Sequence, residues 1–139
     1  MNQTIDEKNK ALVLKAFETP FNKRDYAASE RYWSPHYIQH SAHIEPGREG
    51  LFNLIKSLPP TLKYEPGTIL VEKDFVIVHG RFSGFGQPVN WIAADIVRIE
   101  DGVLVEHWDV HPRRGHARTI KERSTNVRRK LSAIDQVAC

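Results

Sequence analysis

Cysteine is almost absent from the sequence: of 139 residues only Cys139 is a cysteine, and it is the last residue. An intramolecular disulfide is therefore excluded, and a thiol nucleophile at a chain end is a poor expectation. Long apolar runs are also absent, since none approaches the roughly 20 residues of a membrane span, and the N-terminal segment lacks the apolar core of a secretory signal. We therefore expect a protein of the reducing cytoplasm with no membrane partner.

Several motifs that would define a catalytic class are missing as well. There is no GxGxxG or Walker loop for nucleotides, no GxSxG elbow for a serine nucleophile and no HExxH metal motif. Seven histidines are present, but pairs such as His107 and His111 are four residues apart on a predicted strand, about 13 Å along the chain. That separation is too large for both to ligate one ion. We expect neither a metal site nor a cofactor.

The net charge of +3 is unevenly distributed along the chain. Residues 113–139 hold eight of the 20 Lys and Arg residues against two acidic residues, whereas residues 1–112 hold 12 basic against 15 acidic residues. A mildly acidic body argues against a nucleic-acid partner, which would need basic strands interleaved with aromatic residues. We therefore predict two parts: a domain of residues 1–112 and a basic C-terminal tail of residues 113–139.

The tail itself has the pattern of a helix. Its apolar residues recur at heptad-like spacing: Ile120, Val127, Leu131, Ile134 and Ala138. Such a stripe on a terminal helix needs cover, either from the sheet of its own chain or from a second subunit. Packing is the expected role, with binding of anions or a membrane surface by the arginines as the alternative.

Local signals divide residues 1–112 into helices followed by strands. Thr4 and Glu7 have the spacing of a capping box for a first helix, which Pro20 should bend or end near Thr19. Asp25 is a suitable N-cap for a second helix over about 26–32, and a third is predicted over 48–57. The extended segments are expected at 36–41, 67–72, 75–85, 89–100 and 103–111, the last two joined by a hairpin turn at 101–102. Helices before strands indicate an α+β fold.

Strand alternation sorts the final hairpin into faces. Five residues before the turn share one face, namely Trp91, Ala93, Asp95, Val97 and Ile99, and five after it share another, namely Val103, Val105, His107, Asp109 and His111. Asp95 stands within the apolar run 92–97, where burial of an unpartnered carboxylate is costly or forces it to stay protonated. Asp95 is therefore either a functional group or a structural carboxylate satisfied by the backbone or by Arg98.

Three segments carry a resemblance to a known family: residues 37–40 (Tyr-Ile-Gln-His), 94–102 and 106–109 (Glu-His-Trp-Asp). Together with the helices, they resemble the SnoaL-like polyketide cyclase family over about residues 5–112. That family belongs to the NTF2-like superfamily, which includes nuclear transport factor 2 and ketosteroid isomerase. The resemblance implies a cone: three N-terminal helices packed in a strongly curved mixed or antiparallel β-sheet, with a deep apolar pocket inside and dimerisation through the sheet.

The resemblance also implies roles for individual residues. Ketosteroid isomerase keeps a neutral aspartic acid as a hydrogen-bond donor, and Asp95 matches that position. His40 stands where the isomerase carries its general base, and Phe17 where it has a donor tyrosine. The polyketide cyclases use a carboxylate late in the last strand, near Asp109.

We therefore predict His40 as the base and Asp95 or His107 as the donor. Asp109 would orient a histidine or share in proton transfer. The substrate would be bound by Phe17, Trp91, Val97 and His111.

The function expected from these assignments is that of a cofactor-independent enzyme of cyclase, isomerase or aldol-condensation type. It would act on a small apolar carbonyl compound by acid/base proton transfer. The alternative is a non-catalytic small-molecule-binding or accessory domain that uses the same pocket. We also expect a homodimer that buries the sheet face carrying Glu106, Trp108 and Val110, because small monomers rarely leave such a patch bare.

Overall fold

The computed structural model describes residues 2–112. The predicted helical tail and the domain boundary at residue 113 lie outside the described residues. Within the described range, no helix is long and apolar enough to cross a membrane.

The N-terminal helices begin as the sequence predicts. Helix α1 spans Ile5–Phe17, and its capping box is confirmed: the Glu7 N–H donates to Thr4 Oγ1 (3.2 Å), and the Thr4 N–H donates to Glu7 Oε2 (2.8 Å). Helix α2 is shorter than predicted, Tyr26–Ser29, and Asp25 caps it as expected by accepting from the Ala28 N–H. Helix α3 spans Gly47–Ser57.

The α-helix ends at Phe17, close to the predicted bend or end near Thr19. Helix α1 continues as a π-helical turn over Glu18–Asn22. A proline at position 20 has no N–H to offer the carbonyl of Ala16, four residues earlier. That carbonyl instead accepts a hydrogen bond from Trp33 Nε1 (3.2 Å). A buried side chain thus satisfies the backbone group that the proline leaves free.

Five strands form one mixed sheet. They are β1 Trp33–Gln39, β2 Lys63–Glu72, β3 Phe75–Ser83, β4 Trp91–Glu100 and β5 Val103–Val110. Their order across the sheet is β1-β5-β4-β3-β2. Strand β1 runs parallel to β5, whereas every other pair is antiparallel. The predicted α+β, NTF2-like architecture is confirmed.

A β-bulge in β5 decides which side chains face the helices. Arg98 pairs with Glu106, but Ile99 pairs with Leu104, so β5 has one extra residue, Val105, at this point. The bulge shifts the alternation: Leu104 is buried on the same side as His107. The predicted shared face of Val103 and Val105 with His107 is therefore wrong. The inward face of β4 is as predicted, and Asp95 is on it.

The core lies between this inner sheet face and the helices. Trp33 is nearly fully buried and stacks on Phe17, with ring centroids 5.8 Å apart. Its other neighbour is Tyr37, whose ring meets it edge-on at 5.0 Å. All three aromatic residues also line a cavity that lies between the sheet and the helices.

Candidate active site

A cavity of about 230 Å³ opens on the inner face of the sheet. Helices α1 and α3 and the π-helical turn supply mainly apolar walls. The polar lining comes largely from β4, β5 and the segment after β1. The residues that line the cavity include Phe17, Tyr37, Ser41, Trp91, Asp95, His107, Asp109 and His111.

Asp95 and His107 form a buried pair at the polar end of this cavity. Asp95 Oδ1 lies 2.8 Å from His107 Nε2, and the two residues are only 5% and 4% exposed. The other carboxyl oxygen, Asp95 Oδ2, is buried and has no hydrogen-bond partner among the described residues. An unpaired buried oxygen is costly. This oxygen is itself out of reach of a water-sized molecule, so the side of the pair that meets the cavity is not Asp95 Oδ2.

Asp109 lies directly across from Asp95 on the neighbouring strand. One donor atom each from Asp95, His107 and Asp109 lie within 4.8 Å of one another. Asp109 Oδ1 is also 4.0 Å from His111 Nε2, and the His111 ring stacks on Trp91 with centroids 5.3 Å apart. The structure thus brings together five of the predicted site residues, with Phe17 on the opposite wall.

The same three residues are the set within 2–112 whose atoms could hold a metal ion. Two ligands on opposite sides of a zinc ion are at most about 4.2 Å apart, so the full 4.8 Å spread would have to contract. The sequence predicts no metal site because His107 and His111 are about 13 Å apart along one strand. The set Asp95, His107 and Asp109 is instead formed across the neighbouring strands β4 and β5.

His40 lies outside the cavity, and the prediction that it shares a pocket with Asp95 and His107 is wrong. Its side chain is 40% exposed, with Nε2 2.6 Å from Glu106 Oε2. Its ring stacks on Trp108, with centroids 4.8 Å apart and planes 6° from parallel. The cause is strand alternation, because His40 follows Gln39 directly and therefore points to the opposite face. The contact of His40 with His107 is through the backbone: the His40 N–H donates to the His107 carbonyl oxygen (3.0 Å).

Val97 is also not where the substrate-binding prediction placed it. It is fully buried in the hydrophobic core and does not line the cavity. Val97 is on the same face of β4 as Asp95, as predicted. It lies two residues further along the strand, where the sheet packs against the core. Val97 therefore supports the site by packing.

Gln39 is a member of the site that the sequence analysis missed. Its Oε1 lies 2.7 Å from His107 Nδ1 and accepts from the Ser41 N–H (2.9 Å). Its Nε2 donates to the Tyr37 hydroxyl oxygen (2.8 Å). The available signal was the alternation of the segment 37–40, which places Tyr37 and Gln39 on one face and His40 on the other.

Burial and the carboxylates together keep nearby phenols neutral. The pKa of Tyr37 is raised far above its usual range, chiefly by burial and further by the negative charges of Asp95 and Asp109. Burial also raises the pKa of Tyr64, with a contribution from Asp95. On the outer face the effect is opposite: hydrogen bonds from His40 and then Arg98 hold the pKa of Glu106 below its usual value. The Tyr37 hydroxyl is therefore an uncharged partner for Gln39.

Known proteins share the family and the fold of this chain. The sequence profile of the SnoaL-like domain family matches residues 13–107. No curated protein matches significantly. Among solved structures, AclR from Streptomyces galilaeus, a proposed hydroxylase, is similar with a TM-score of 0.63 and 27% sequence identity. The similarity covers 81% of this chain and 84% of AclR.

Two further structures share the fold. A proposed ketosteroid isomerase from Kribbella flavida has a TM-score of 0.68 and 17% identity, covering 79% of this chain and 82% of its own. A proposed SnoaL-like polyketide cyclase from a Jannaschia species has a TM-score of 0.65 and 22% identity, covering 80% and 90%. At these identities the likeness establishes the architecture alone, since one fold hosts many functions.

Proposed function

Because the chain belongs to the SnoaL-like domain family, we propose that it is an enzyme that moves protons on a small, largely apolar carbonyl compound. The reaction class is that of cyclases, isomerases and aldol-type enzymes, and the proposal requires no cofactor. The observation that carries it is the polar end of the cavity: the Asp95–His107 pair and Asp109 converge there in otherwise apolar surroundings. We assign this activity to the cytoplasm, in keeping with the single cysteine.

The chemistry needs a base beside the carbonyl and a proton donor for its oxygen. Removal of a proton from the carbon next to a carbonyl is the first step shared by double-bond shifts and aldol cyclisation. Asp109, as a carboxylate, takes that proton. The Asp95–His107 pair gives up its shared proton to the oxygen on which negative charge develops. His40, on the outer face, has no part in this step.

The substrate class follows from the walls of the cavity. Phe17 and Trp91 offer aromatic surface to an apolar body. The polar end of the cavity, with His107 and Asp109, suits the carbonyl group of the substrate. A compact ketone with one or two carbocyclic rings meets both requirements.

Exchange of ketone protons in heavy water tests this function without the natural substrate. A simple bicyclic ketone, β-tetralone, is incubated with the protein in D2O, and loss of its α-proton signals is followed by NMR. We expect exchange faster than in buffer alone, and saturable with ketone concentration. Saturable binding without faster exchange would support the alternative, a non-catalytic small-molecule-binding domain.

We propose in addition that the protein is a homodimer joined through the outer face of its sheet. Apolar side chains cross three adjacent strands there in register, Ile77 of β3, Ile96 of β4 and Trp108 of β5. Phe75 lies beside Trp108, with ring centroids 6.0 Å apart, and Ile38 is exposed on β1. A second copy is the favoured partner because Arg98 and Glu106, which have opposite charges, flank this patch. Across a two-fold axis, Arg98 of one copy can pair with Glu106 of the other.

Charging the centre of this face should separate the subunits. Ile77 is 37% exposed, so Ile77→Lys leaves the fold intact but buries a charge in the proposed interface. Sedimentation velocity should show a dimer for the parent protein and a monomer for this variant. Ile5→Lys is the matched control, because Ile5 is 67% exposed on α1, and it should remain dimeric. A monomeric parent protein would refute the proposal.

A further inference from the structure

The orientation of the Gln39 side-chain amide can be deduced from a backbone group. The Ser41 N–H can only donate, and it lies 2.9 Å from the atom assigned as Gln39 Oε1. That atom must therefore be the amide oxygen and not the nitrogen. The remaining amide nitrogen then donates to the Tyr37 hydroxyl oxygen, which stays neutral because burial raises its pKa.

The amide oxygen in turn determines the state of the His107 ring. Since Gln39 Oε1 accepts only, His107 Nδ1, at 2.7 Å, must carry a proton. In a neutral imidazole with a protonated Nδ1, the other nitrogen, Nε2, has a lone pair and no proton. That lone pair faces Asp95 Oδ1 at 2.8 Å. Two acceptors at this distance repel each other unless a proton lies between them.

We propose that Gln39 is a positioning residue that holds His107 with its proton on Nδ1 and so obliges the Asp95–His107 pair to carry one transferable proton. The pair is then either aspartic acid with neutral imidazole or carboxylate with imidazolium. Both forms have the same net charge, and both have one mobile proton inside the cavity.

The catalytic consequence rests on the proposed function. The pair's proton moves to the substrate oxygen as Asp109 takes the proton from carbon, so one proton is gained by the protein as another is given up. Without Gln39, His107 could carry its single proton on Nε2 and donate it to an ionised Asp95. The pair would then be satisfied without the additional proton, and the acid of the mechanism would be lost.

Nitrogen-15 NMR of the histidine ring tests the inference on the protein alone. Protonated and unprotonated ring nitrogens have well-separated shifts, and a His107→Asn variant identifies the His107 signals by their absence. In the parent protein, Nδ1 should be protonated at every pH at which the fold is intact. An unprotonated Nδ1 at any such pH overturns the proposal.

Two substitutions at position 39 provide the matched comparison. Gln39→Glu keeps an acceptor for both Nδ1 and the Ser41 N–H, and Nδ1 should stay protonated. Gln39→Leu removes the acceptor, and at alkaline pH Nδ1 should lose its proton while Nε2 keeps one. If Gln39→Leu retains a protonated Nδ1 there, Gln39 does not set the state of the ring.

These spectra need no substrate. A confirmed ring state together with absent ketone exchange would therefore refute the proposed function alone.

Discussion

Replacing Asp109 with asparagine is expected to slow exchange of ketone α-protons by about 100-fold or more, the usual loss when a general base is removed. Asparagine has nearly the same shape, so the cavity should keep its form and its affinity for the ketone. The amide has no lone pair basic enough to take a proton from carbon. NMR exchange rates in D2O over a range of ketone concentrations separate the rate at saturation from binding.

His40→Ala is the control for this result, because it removes a histidine that lies on the outer face, 2.6 Å from Glu106. Its exchange rate should equal that of the parent protein. Full activity in Asp109→Asn together with a large loss in His40→Ala would reverse the assignment of the base. It would show that the chemistry does not occur in the cavity on the inner face of the sheet.

Much of the fold is predictable because its signals are local. The capping box at Thr4 and Glu7 and the hairpin turn at Asp101-Gly102 involve neighbouring residues, so spacing alone reveals them. The end of the first helix was less predictable. There the free Ala16 carbonyl is satisfied by Trp33, seventeen residues away in the chain, and no local pattern reports such a contact.

The candidate site was predictable where strand alternation is regular. On β4 the apolar run around Asp95 marks a buried carboxylate, and the structure places it on the cavity wall. On β5 the bulge at Val105 changes the alternation. His107 and Asp109 still face inward because both lie on the same side of the bulge. Alternation relates residues within an uninterrupted strand, and a bulge breaks that relation.

The error at His40 and the omission of Gln39 have one cause. The resemblance drew attention to a histidine in the segment 37–40, because histidine suits a general base. A shift of one residue in an extended segment reverses the direction of the side chain. The structure gives the inward position to Gln39, whose role depends on a contact with His107, 68 positions later in the chain. Only the parallel pairing of β1 with β5 brings the two together.

Two substitutions of Asp95 should differ from each other, and the difference identifies its role. In Asp95→Asn the amide N–H can donate to the lone pair of His107 Nε2, so the pair stays assembled but has no proton to transfer. Asp95→Ala removes both oxygens and leaves a small void beside a buried, unpaired imidazole. We expect ketone exchange to fall in both, by about 100-fold for the loss of the acid, and further in Asp95→Ala.

Exchange rates that fall from the parent protein to Asp95→Asn and further to Asp95→Ala are expected only if Asp95 is a proton donor held by His107. If Asp95 were the base, both substitutions would abolish exchange equally, because neither side chain can accept a proton from carbon. Thermal unfolding of each variant separates catalysis from stability. The Asp95→Asn variant should unfold near the melting temperature of the parent protein, because its side chain keeps a hydrogen bond to His107. The Asp95→Ala variant should unfold at a lower temperature, because His107 loses its partner. Equal exchange rates in two folded variants would therefore assign the base to Asp95 and leave Asp109 as the acid.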